Sequence, residues 1–231
     1  MQLTILLPCL NEEKTLAETI KEIKAELAKI KYTSKSEILV VDNNSCDNSF
    51  KIAQDLNTRV VKEFKVGYGN ALRRGLKEAK GKYIIFGDCD RSYSFCYIKE
   101  YLNKLERGAD IVIGNRFLGH MQKGAMPFLH KYIGTPVISF LGNKLYKINV
   151  GDFNCGLRAI KKEILADLNF KTSGMEFATE MLIKARKNNL VIAEVPINFY
   201  KDKRECKPHL KTFRDGLRHL KVLVGEINNE K

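Results

Sequence analysis

Two aspartates one residue apart, Asp88 and Asp90, directly follow the short apolar run 83–86. Glycines bound this run, and the pattern predicts a strand that is buried on both faces. Ligands of open α/β sheets bind in the crevice beyond the C-terminal ends of the strands. Carboxylates at that edge could hold Mg²⁺ or Mn²⁺ against a diphosphate, because oxygen ligands suit these cations. The sequence therefore predicts a metal site at Asp88 and Asp90, and a plain surface turn is the alternative.

The segments around this pair alternate between strand and helix as far as Leu118. Short apolar runs predict the strands, and apolar residues at helical spacing predict the helices. The predicted strands are 2–7, 37–41, 59–61, 83–86, 110–114 and 191–197, and the predicted helices are 12–30, 47–56, 67–79, 95–107 and 175–187. This alternation is typical of an α/β fold with a mainly parallel sheet and helices on both faces. At 231 residues, the chain is expected to form a single domain.

Two predicted helices begin at an asparagine or at glycines, which are residues typical of helix N-termini. Asn11 is predicted to cap the helix at 12–30. Gly67 and Gly69 open the helix at 67–79, where they allow a close backbone approach and where the helix N-terminus could face a phosphate. A loop that merely needs a positive φ at one of these glycines is the alternative.

The formal net charge of +13 indicates a polyanionic partner or an anionic membrane surface, and a lysine-rich solvated surface is the alternative. Basic residues are concentrated at 201–221, where eight Lys and Arg stand against three acidic residues. The segment 119–149 carries an apolar cluster at 136–141 with lysines around it. That segment either lies at a membrane surface or packs on the core of the protein.

The cysteines and the N-terminus indicate the compartment. Six cysteines are scattered without a C-x-x-C pair, which favours reduced thiols in a cytosolic protein. The N-terminus leads straight into a strand and does not resemble a signal peptide, and no window approaches 18 apolar residues. We therefore expect a cytoplasmic protein whose membrane association is peripheral or through a membrane partner.

Eight segments in order along nearly the whole chain carry a resemblance to a known family. They are LPCLNEE (7–13), VVDNNSCD (40–47), GYGNALR (67–73), GDCD (87–90), GNRF (114–117), DFNCGLRA (152–159), EVPI (194–197) and HLKTFRDGLRHL (209–220). The first four resemble family 2 glycosyltransferases of the GT-A fold. The later four resemble the branch that makes polyprenyl-phosphate sugars, the dolichol-phosphate mannosyltransferase and glucosyltransferase type.

The resemblance implies a role for individual residues. The donor nucleotide sugar is expected to contact Pro8, Leu10, Glu12, Asp42, Asp88, Asp90 and Arg204. Asp88 and Asp90 are expected to bind the metal ion and to take part in catalysis, and Asp152 is expected to be an active-site acid. Arg116 and Arg158 match arginines expected near the acceptor phosphate. The implied division is a nucleotide-sugar-binding half at 1–118, an acceptor half at 119–200 and a basic C-terminal segment at 201–231.

The implied function is an inverting, metal-dependent transfer of a hexose from a UDP- or GDP-sugar to a polyprenyl phosphate at the cytoplasmic face of a membrane. Two residues differ from the pattern of the polyprenyl-phosphate branch. That branch more often has Ala at the position of Cys89 and a possible third metal ligand at the position of Ser92. If the acceptor is instead a glycan or a protein, a carboxylate base is needed, and Asp152, Glu176 or Glu180 is the candidate. A nucleic-acid-binding protein is the alternative of another class, although no stacking-aromatic motif or recognition helix is evident.

Overall fold

The computed structural model describes residues 1–204 and 212–228. A seven-stranded sheet forms its centre. The strands are β1 (Leu3–Cys9), β2 (Ser36–Asp42), β3 (Arg59–Lys62), β4 (Tyr83–Phe86), β5 (Ile111–Asn115), β6 (Arg158–Lys161) and β7 (Ile192–Pro196). The helices are α1 (Leu16–Lys29), α2 (Ser49–Asp55), α3 (Tyr68–Glu78), α4 (Ile98–Glu106), α5 (Thr135–Tyr146), α6 (Leu165–Leu168), α7 (Phe177–Lys187) and α8 (Thr212–Asn228), and a π-helical turn (His130–Gly134) precedes α5.

The strand order across the sheet is β3-β2-β1-β4-β6-β5-β7. All neighbouring pairs are parallel except those of β6, which runs antiparallel to both β4 and β5. The predicted α/β fold with a mainly parallel sheet is confirmed. The sequence analysis missed β6, because four residues that include two basic side chains show neither an apolar run nor clear alternation.

The core forms where the sequence predicts buried strands. Every residue of β4 is buried, and so are six of the seven residues of β1, because α-helices cover the sheet. The apolar stripe of α1, with Leu16, Ile20 and Ile23, faces the same core. The helix begins at Leu16 and not after Asn11, whose φ of 55° is left-handed and therefore not helical. The predicted cap is therefore wrong, and Asn11 Oδ1 instead accepts the backbone N–H of Cys46 at 2.8 Å.

Helix α8 packs against α5 and α7 through polar contacts as well as apolar ones. The hydroxyl of Tyr146 donates to the carbonyl of Leu223 at 2.7 Å, and Thr179 Oγ1 lies 2.7 Å from Nδ1 of His219. His219 is 4% exposed. Burial, together with the charge of Arg158 and against the opposing effect of Asp215, lowers the pKa of His219 to about 4.

This buried histidine gives a pH prediction. The pKa of His219 is about 4 in the folded protein and about 6.5 in an unfolded chain. Between these pH values the unfolded state binds more protons than the folded state, so the protein becomes less stable as the pH is lowered. Between pH 7 and pH 5, His219 should cost about 2 kcal/mol of the free energy of unfolding. Denaturant titrations of the wild type and His219→Gln at both pH values measure this cost as the difference between the two losses. Equal losses in the two proteins would contradict it.

Candidate active site

The parallel strands bring the predicted donor-side residues to one edge of the sheet. Cys9, at the end of β1, lies opposite Asp42, at the end of β2, and β4 on the other side of β1 leads into Asp88 and Asp90. Pro8 and Leu10 are half-buried at this edge, and Asp42 is buried.

Arg204 joins this group from the far end of the chain. Its Nη1 donates to Glu12 Oε1 at 3.1 Å, and its Nη2 donates to Asp90 Oδ2 at 3.2 Å. Asp202 holds the other edge of the guanidinium, with contacts of 2.9 Å to Nε and 2.6 Å to Nη2. The structure thus brings together Glu12, Asp88, Asp90 and Arg204, which the resemblance assigns to donor binding.

Crowded carboxylates dominate the electrostatics of this group. Burial raises the pKa of Glu12 to about 8, with Asp90 adding to the rise and Arg204 opposing it. Burial and the charge of Asp90 raise the pKa of Asp88 to about 7, against the lowering effect of Arg204 and of a hydrogen bond from Tyr68. Burial is the main cause of both raised values and repulsion by Asp90 adds to it, so the group favours added positive charge.

The two aspartates are oriented by their neighbours. Asp90 Oδ1 accepts the backbone N–H of Ser92 at 2.9 Å and its hydroxyl at 2.5 Å, so Ser92 orients a carboxylate in this structure. A side chain at Gly156 would place its Cβ 2.8 Å from Asp88 Oδ2, so glycine is needed there. Because Tyr68 and Gly156 lie against the carboxylate, the position of Asp88 is fixed by packing as well as by charge.

The donor set fits a divalent cation that shares its coordination with a substrate. Within residues 1–204 and 212–228, no group of three or more His, Cys, Asp or Glu side chains is arranged to hold a metal ion. Mg²⁺ is commonly bound by one or two carboxylates together with substrate phosphates and water. Asp88 and Asp90 provide such an incomplete set, and a bound diphosphate would supply further oxygen ligands.

Although the sequence suggests that the start of α3 faces a phosphate, two of its N–H groups bind the protein itself, and Gly67 has the positive φ of the alternative. The backbone N–H groups of Gly69 and Asn70 point to the carbonyl of Ser173, at 3.0 and 3.4 Å. A Cβ at Gly67, whose φ is 147°, would lie 2.3 Å from that same oxygen. The close backbone approach is confirmed, but the chain at Ser173 occupies the place expected for an anion.

Asn43 holds a loop beside the proposed donor site, a role that is not predicted from the sequence. Its Nδ2 donates to the carbonyls of Glu63 and Lys65, each at 2.9 Å, and its Oδ1 accepts the N–H of Gly67 at 2.7 Å. These bonds hold the loop that connects β3 to α3 beside Asp42. The only signal in the sequence is an asparagine that directly follows a strand end, which turn chemistry alone explains equally well.

Arg116, just beyond β5, forms a buried ion pair with Asp152. Its Nε and Nη2 donate to the two carboxylate oxygens at 2.6 and 2.8 Å, and its backbone N–H adds a third bond at 3.2 Å. Asp152 is 0% exposed and Arg116 is 7% exposed. The guanidinium also lies 5.0 Å from the ring centre of Phe199. Asp152 is therefore placed to position Arg116, and in this pairing it does not offer a free base.

Arg158 lies in the interior of the protein, at the start of β6. It is 1% exposed, and its three guanidinium nitrogens donate to the backbone carbonyls of Cys155, Ala178 and Phe153 at 2.6 to 2.7 Å. These bonds to backbone carbonyls hold loops together, and the guanidinium does not reach the surface in this structure. Its expected contact with the acceptor phosphate stays a prediction.

The two glutamates that are candidate bases differ in their hydrogen bonds. Glu180 is buried and accepts N–H groups from Lys171 and Thr172 at 2.8 and 2.9 Å, and Lys184 lies 2.8 Å away. Glu176 accepts the N–H of Gly174 through Oε1, whereas its buried Oε2 has no hydrogen-bond partner. Glu180 is therefore a structural residue, and Glu176 keeps an oxygen that is not hydrogen-bonded.

The segment from Ile197 to Arg204 links the two sides of the site. The N–H of Lys203 donates to the carbonyl of Asp90 at 3.0 Å, and that of Phe199 donates to the carbonyl of His120 at 2.9 Å. The segment therefore contacts the loop of the aspartate pair at one end and the region after β5 near its middle. The other predicted basic residues at Lys207 and Lys211 lie outside the described residues.

The structure has paired aspartates after a central strand and a mixed sheet with one antiparallel strand. The sequence of this chain also matches the model of a known protein family. A model of the glycosyl transferase family 2 matches residues 4–168. The chain belongs to glycosyltransferase family 2. This membership confirms the predicted resemblance and favours an enzyme over a nucleic-acid-binding protein.

Several family 2 relatives match nearly the whole chain. The low-salt glycan biosynthesis hexosyltransferase Agl6 of Haloferax volcanii is 32% identical over 223 residues, covering 96% of this chain and 53% of that protein. The dolichol-phosphate mannosyltransferase of Pyrococcus furiosus is 30% identical, with 99% of this chain and 66% of that protein covered. A dolichyl-phosphate hexose transferase of Haloferax volcanii is 28% identical over 99% of this chain and 95% of that protein. The chain thus spans less than two thirds of the first two relatives.

Solved structures share the fold of this family 2 chain. Glucosyl-3-phosphoglycerate synthase from Mycobacterium tuberculosis, in complex with Mn²⁺, UDP and phosphoglyceric acid, superposes with a TM-score of 0.76 at 20% identity. The match covers 97% of this chain and 78% of that one. The GT-A fold expected from the sequence is confirmed.

Proposed function

We propose that this family 2 glycosyltransferase moves a hexose from a UDP- or GDP-sugar to a polyprenyl phosphate, with inversion at the anomeric carbon. The observation that carries the proposal is the placement of Arg116 beside the acidic group. Arg116 lies over the ring of Phe199, and this ring packs on Tyr93. The Tyr93 hydroxyl accepts the N–H of Gly156, which lies against Asp88, so these residues line one site. The names of the dolichol-phosphate mannosyltransferase and the dolichyl-phosphate hexose transferase support a lipid phosphate as the acceptor.

The donor side is proposed to bind the nucleotide and its diphosphate. Pro8, Leu10, Glu12 and Asp42 would line the nucleotide pocket, and Arg204 would contact the diphosphate. Asp88 and Asp90 would hold Mg²⁺ or Mn²⁺, which stabilises the negative charge of the departing nucleoside diphosphate. The neighbouring structure that contains Mn²⁺ and UDP supports this choice of metal and ligand.

The acceptor side is proposed to bind a phosphate through Arg116. Asp152 uses the Nε and Nη2 edge of the guanidinium, and Nη1 would then contact an acceptor oxygen. That oxygen attacks the anomeric carbon, the bond from this carbon to the donor phosphate breaks, and the nucleoside diphosphate leaves. A phosphate monoester is already ionised near neutral pH, so the reaction needs no strong base, in agreement with the pairing of Asp152.

Transfer to a hydroxyl of a glycan or a protein is the second candidate. Glu176 favours it, because its Oε2 has no hydrogen-bond partner and only a long ion-pair contact of 3.8 Å with Arg218, and such a reaction needs a carboxylate that can accept a proton. The two candidates differ in their product. In the first the hexose enters a lipid, and in the second it enters a water-soluble glycan or protein.

One assay separates these candidates. The protein is incubated with a panel of labelled UDP- and GDP-hexoses, a short polyprenyl phosphate and Mg²⁺ or Mn²⁺, and the label is followed into the organic phase. Metal-dependent label in the lipid is the expected result and also identifies the donor. Donor hydrolysis without lipid labelling would favour a glycan or protein acceptor, and the absence of donor binding would contradict both.

The location at a membrane is also a proposal. No helix in the described residues is long and apolar enough to span a bilayer. An exposed apolar face, here called the α5 face, follows the π-helical turn and α5 at helical spacing. It consists of Phe128, Leu129, Tyr132, Ile133, Val137, Phe140 and Leu145. Lys131 and Lys144 lie over the rings of Tyr132 and Phe140, so cations flank the apolar side chains. We propose that this face rests on an anionic membrane surface.

Vesicle binding tests the α5 face. Phe128 and Phe140 are 73% and 63% exposed, and replacing both with serine should lower binding to anionic vesicles by at least about 10-fold. Phe64, which is 75% exposed on the loop between β3 and α3, gives the control variant Phe64→Ser. Sedimentation with vesicles should show the loss only in the double variant. An equal loss in the control, or no loss in either, would contradict the proposal.

A further inference from the structure

Arg204 contacts one of the two carboxylates that are proposed to hold the metal ion. Its guanidinium lies 3.2 Å from Oδ2 of Asp90, which is a proposed metal ligand, and 3.1 Å from Oε1 of Glu12. The Arg204 side chain is 12% exposed, and those of Glu12 and Asp90 are 6% and 10% exposed. This is a nearly buried contact in which a guanidinium supplies positive charge to an otherwise acidic cluster.

A guanidinium and a divalent cation cannot both hold this place without strong repulsion. Like charges that lie about 4 Å apart in a partly buried site repel by several kcal/mol. The proposed metal ligand Asp90 would therefore exchange one cation for the other. A diphosphate bound to the metal offers Arg204 a new anionic partner, so the exchange becomes favourable only when the nucleotide is present.

We propose that Arg204 is the internal counter-ion of the Asp90 carboxylate, and that the metal ion displaces it when the nucleoside diphosphate binds. The inference rests on the proposed donor site. Metal alone binds weakly because it competes with Arg204, and the nucleoside diphosphate binds tightly because it receives the displaced guanidinium. Asp202 stays bound to Arg204 throughout the exchange, since it accepts the backbone N–H of Arg204 at 2.7 Å as well as its Nε.

Binding of Mn²⁺ alone, followed by electron paramagnetic resonance without any nucleotide, tests the competition. Arg204→Gln removes the competing cation and should bind Mn²⁺ at least about 10-fold more tightly than the wild type. Lys203→Gln removes the same charge from the exposed neighbouring residue and should stay within about twofold of the wild type. Arg204→Lys keeps the charge without the planar fork and should lie between the two.

The same variants should show the opposite effect on the nucleotide. With Mn²⁺ at saturation, Arg204→Gln should bind UDP or GDP about 10-fold more weakly than the wild type, because the diphosphate has lost its arginine. Circular dichroism confirms the fold of each variant. An unchanged or weaker affinity of both Arg204→Gln and Arg204→Lys for Mn²⁺ alone would overturn the counter-ion role. So would a failure of every protein to bind Mn²⁺.

The Mn²⁺ and nucleotide affinities do not depend on the identity of the acceptor, because they are measured without sugar transfer. If Arg204→Gln binds Mn²⁺ more tightly and the wild type fails to label lipid, the counter-ion role stands and the acceptor proposal fails. If the wild type labels lipid and the Mn²⁺ affinities are equal, the proposed function stands and the counter-ion role fails.

Discussion

The Asp90→Asn variant is expected to lose hexosyl transfer by at least about 10³-fold, the largest effect of any single substitution considered for this chain. Asparagine has the size of aspartate and can still accept the hydrogen bonds that Ser92 donates to Oδ1. It lacks the negative charge that is proposed to bind the metal ion and that pairs with the Nη2 group of Arg204. The loss should therefore appear in the transfer rate and in metal affinity, and not in the fold.

Asp167→Asn is the matched control, because it removes the same charge from an exposed residue of α6. Initial rates of transfer from the labelled donor, measured together with thermal unfolding, give the comparison. The control should keep the wild-type rate. An Asp90→Asn protein that is folded and transfers within about 10-fold of the wild-type rate would show that the aspartate pair does not hold a catalytic metal ion.

The second large effect is expected at the buried pair of Arg116 and Asp152. Asp152→Ala leaves a buried guanidinium without its carboxylate, and the free energy of unfolding should fall by about 3 to 5 kcal/mol. Transfer should fall as well, because Arg116 is no longer held in place. Denaturant unfolding and transfer rates of the single variant establish these two losses.

A double variant separates stability from function at this pair. Arg116→Met together with Asp152→Ala removes both charges, so most of the lost stability should return. Transfer should not return, because the proposed contact with the acceptor phosphate is missing. A double variant with both normal stability and normal transfer would show that Arg116 is only a structural partner of Asp152.

The sequence predicts the donor side of the site because strand direction determines it. Apolar runs identify β1, β2 and β4, and parallel strands place Asp42, Asp88 and Asp90 at one edge without any knowledge of the loops. The contact between Glu12 and Arg204 joins residues 192 positions apart, and no local pattern predicts it. The family resemblance assigned both residues to the donor, but their direct contact required the fold.

The two arginines show why the acceptor side is harder to predict. Arg116 follows the end of β5, whereas Arg158 begins the antiparallel strand β6, so both lie at the same edge of the sheet. In the strand register, Arg158 pairs with Phe86 and Ile113 inside the sheet, and its donors bind backbone carbonyls. A short strand that reverses direction leaves no pattern in the sequence, so the buried position of Arg158 follows only from the structure.

A comparison of two acceptors that differ only in the phosphate tests most directly whether the acceptor is a lipid phosphate. The wild-type protein is given the donor and metal identified in the panel, with either a polyprenyl phosphate or the matching polyprenol, and the lipid products are analysed by mass spectrometry. The polyprenyl phosphate is expected to gain one hexose with its phosphate retained, and the polyprenol is expected to be unchanged. Transfer to both lipids, or to neither while a glycan or protein is labelled, would contradict a lipid phosphate as the acceptor.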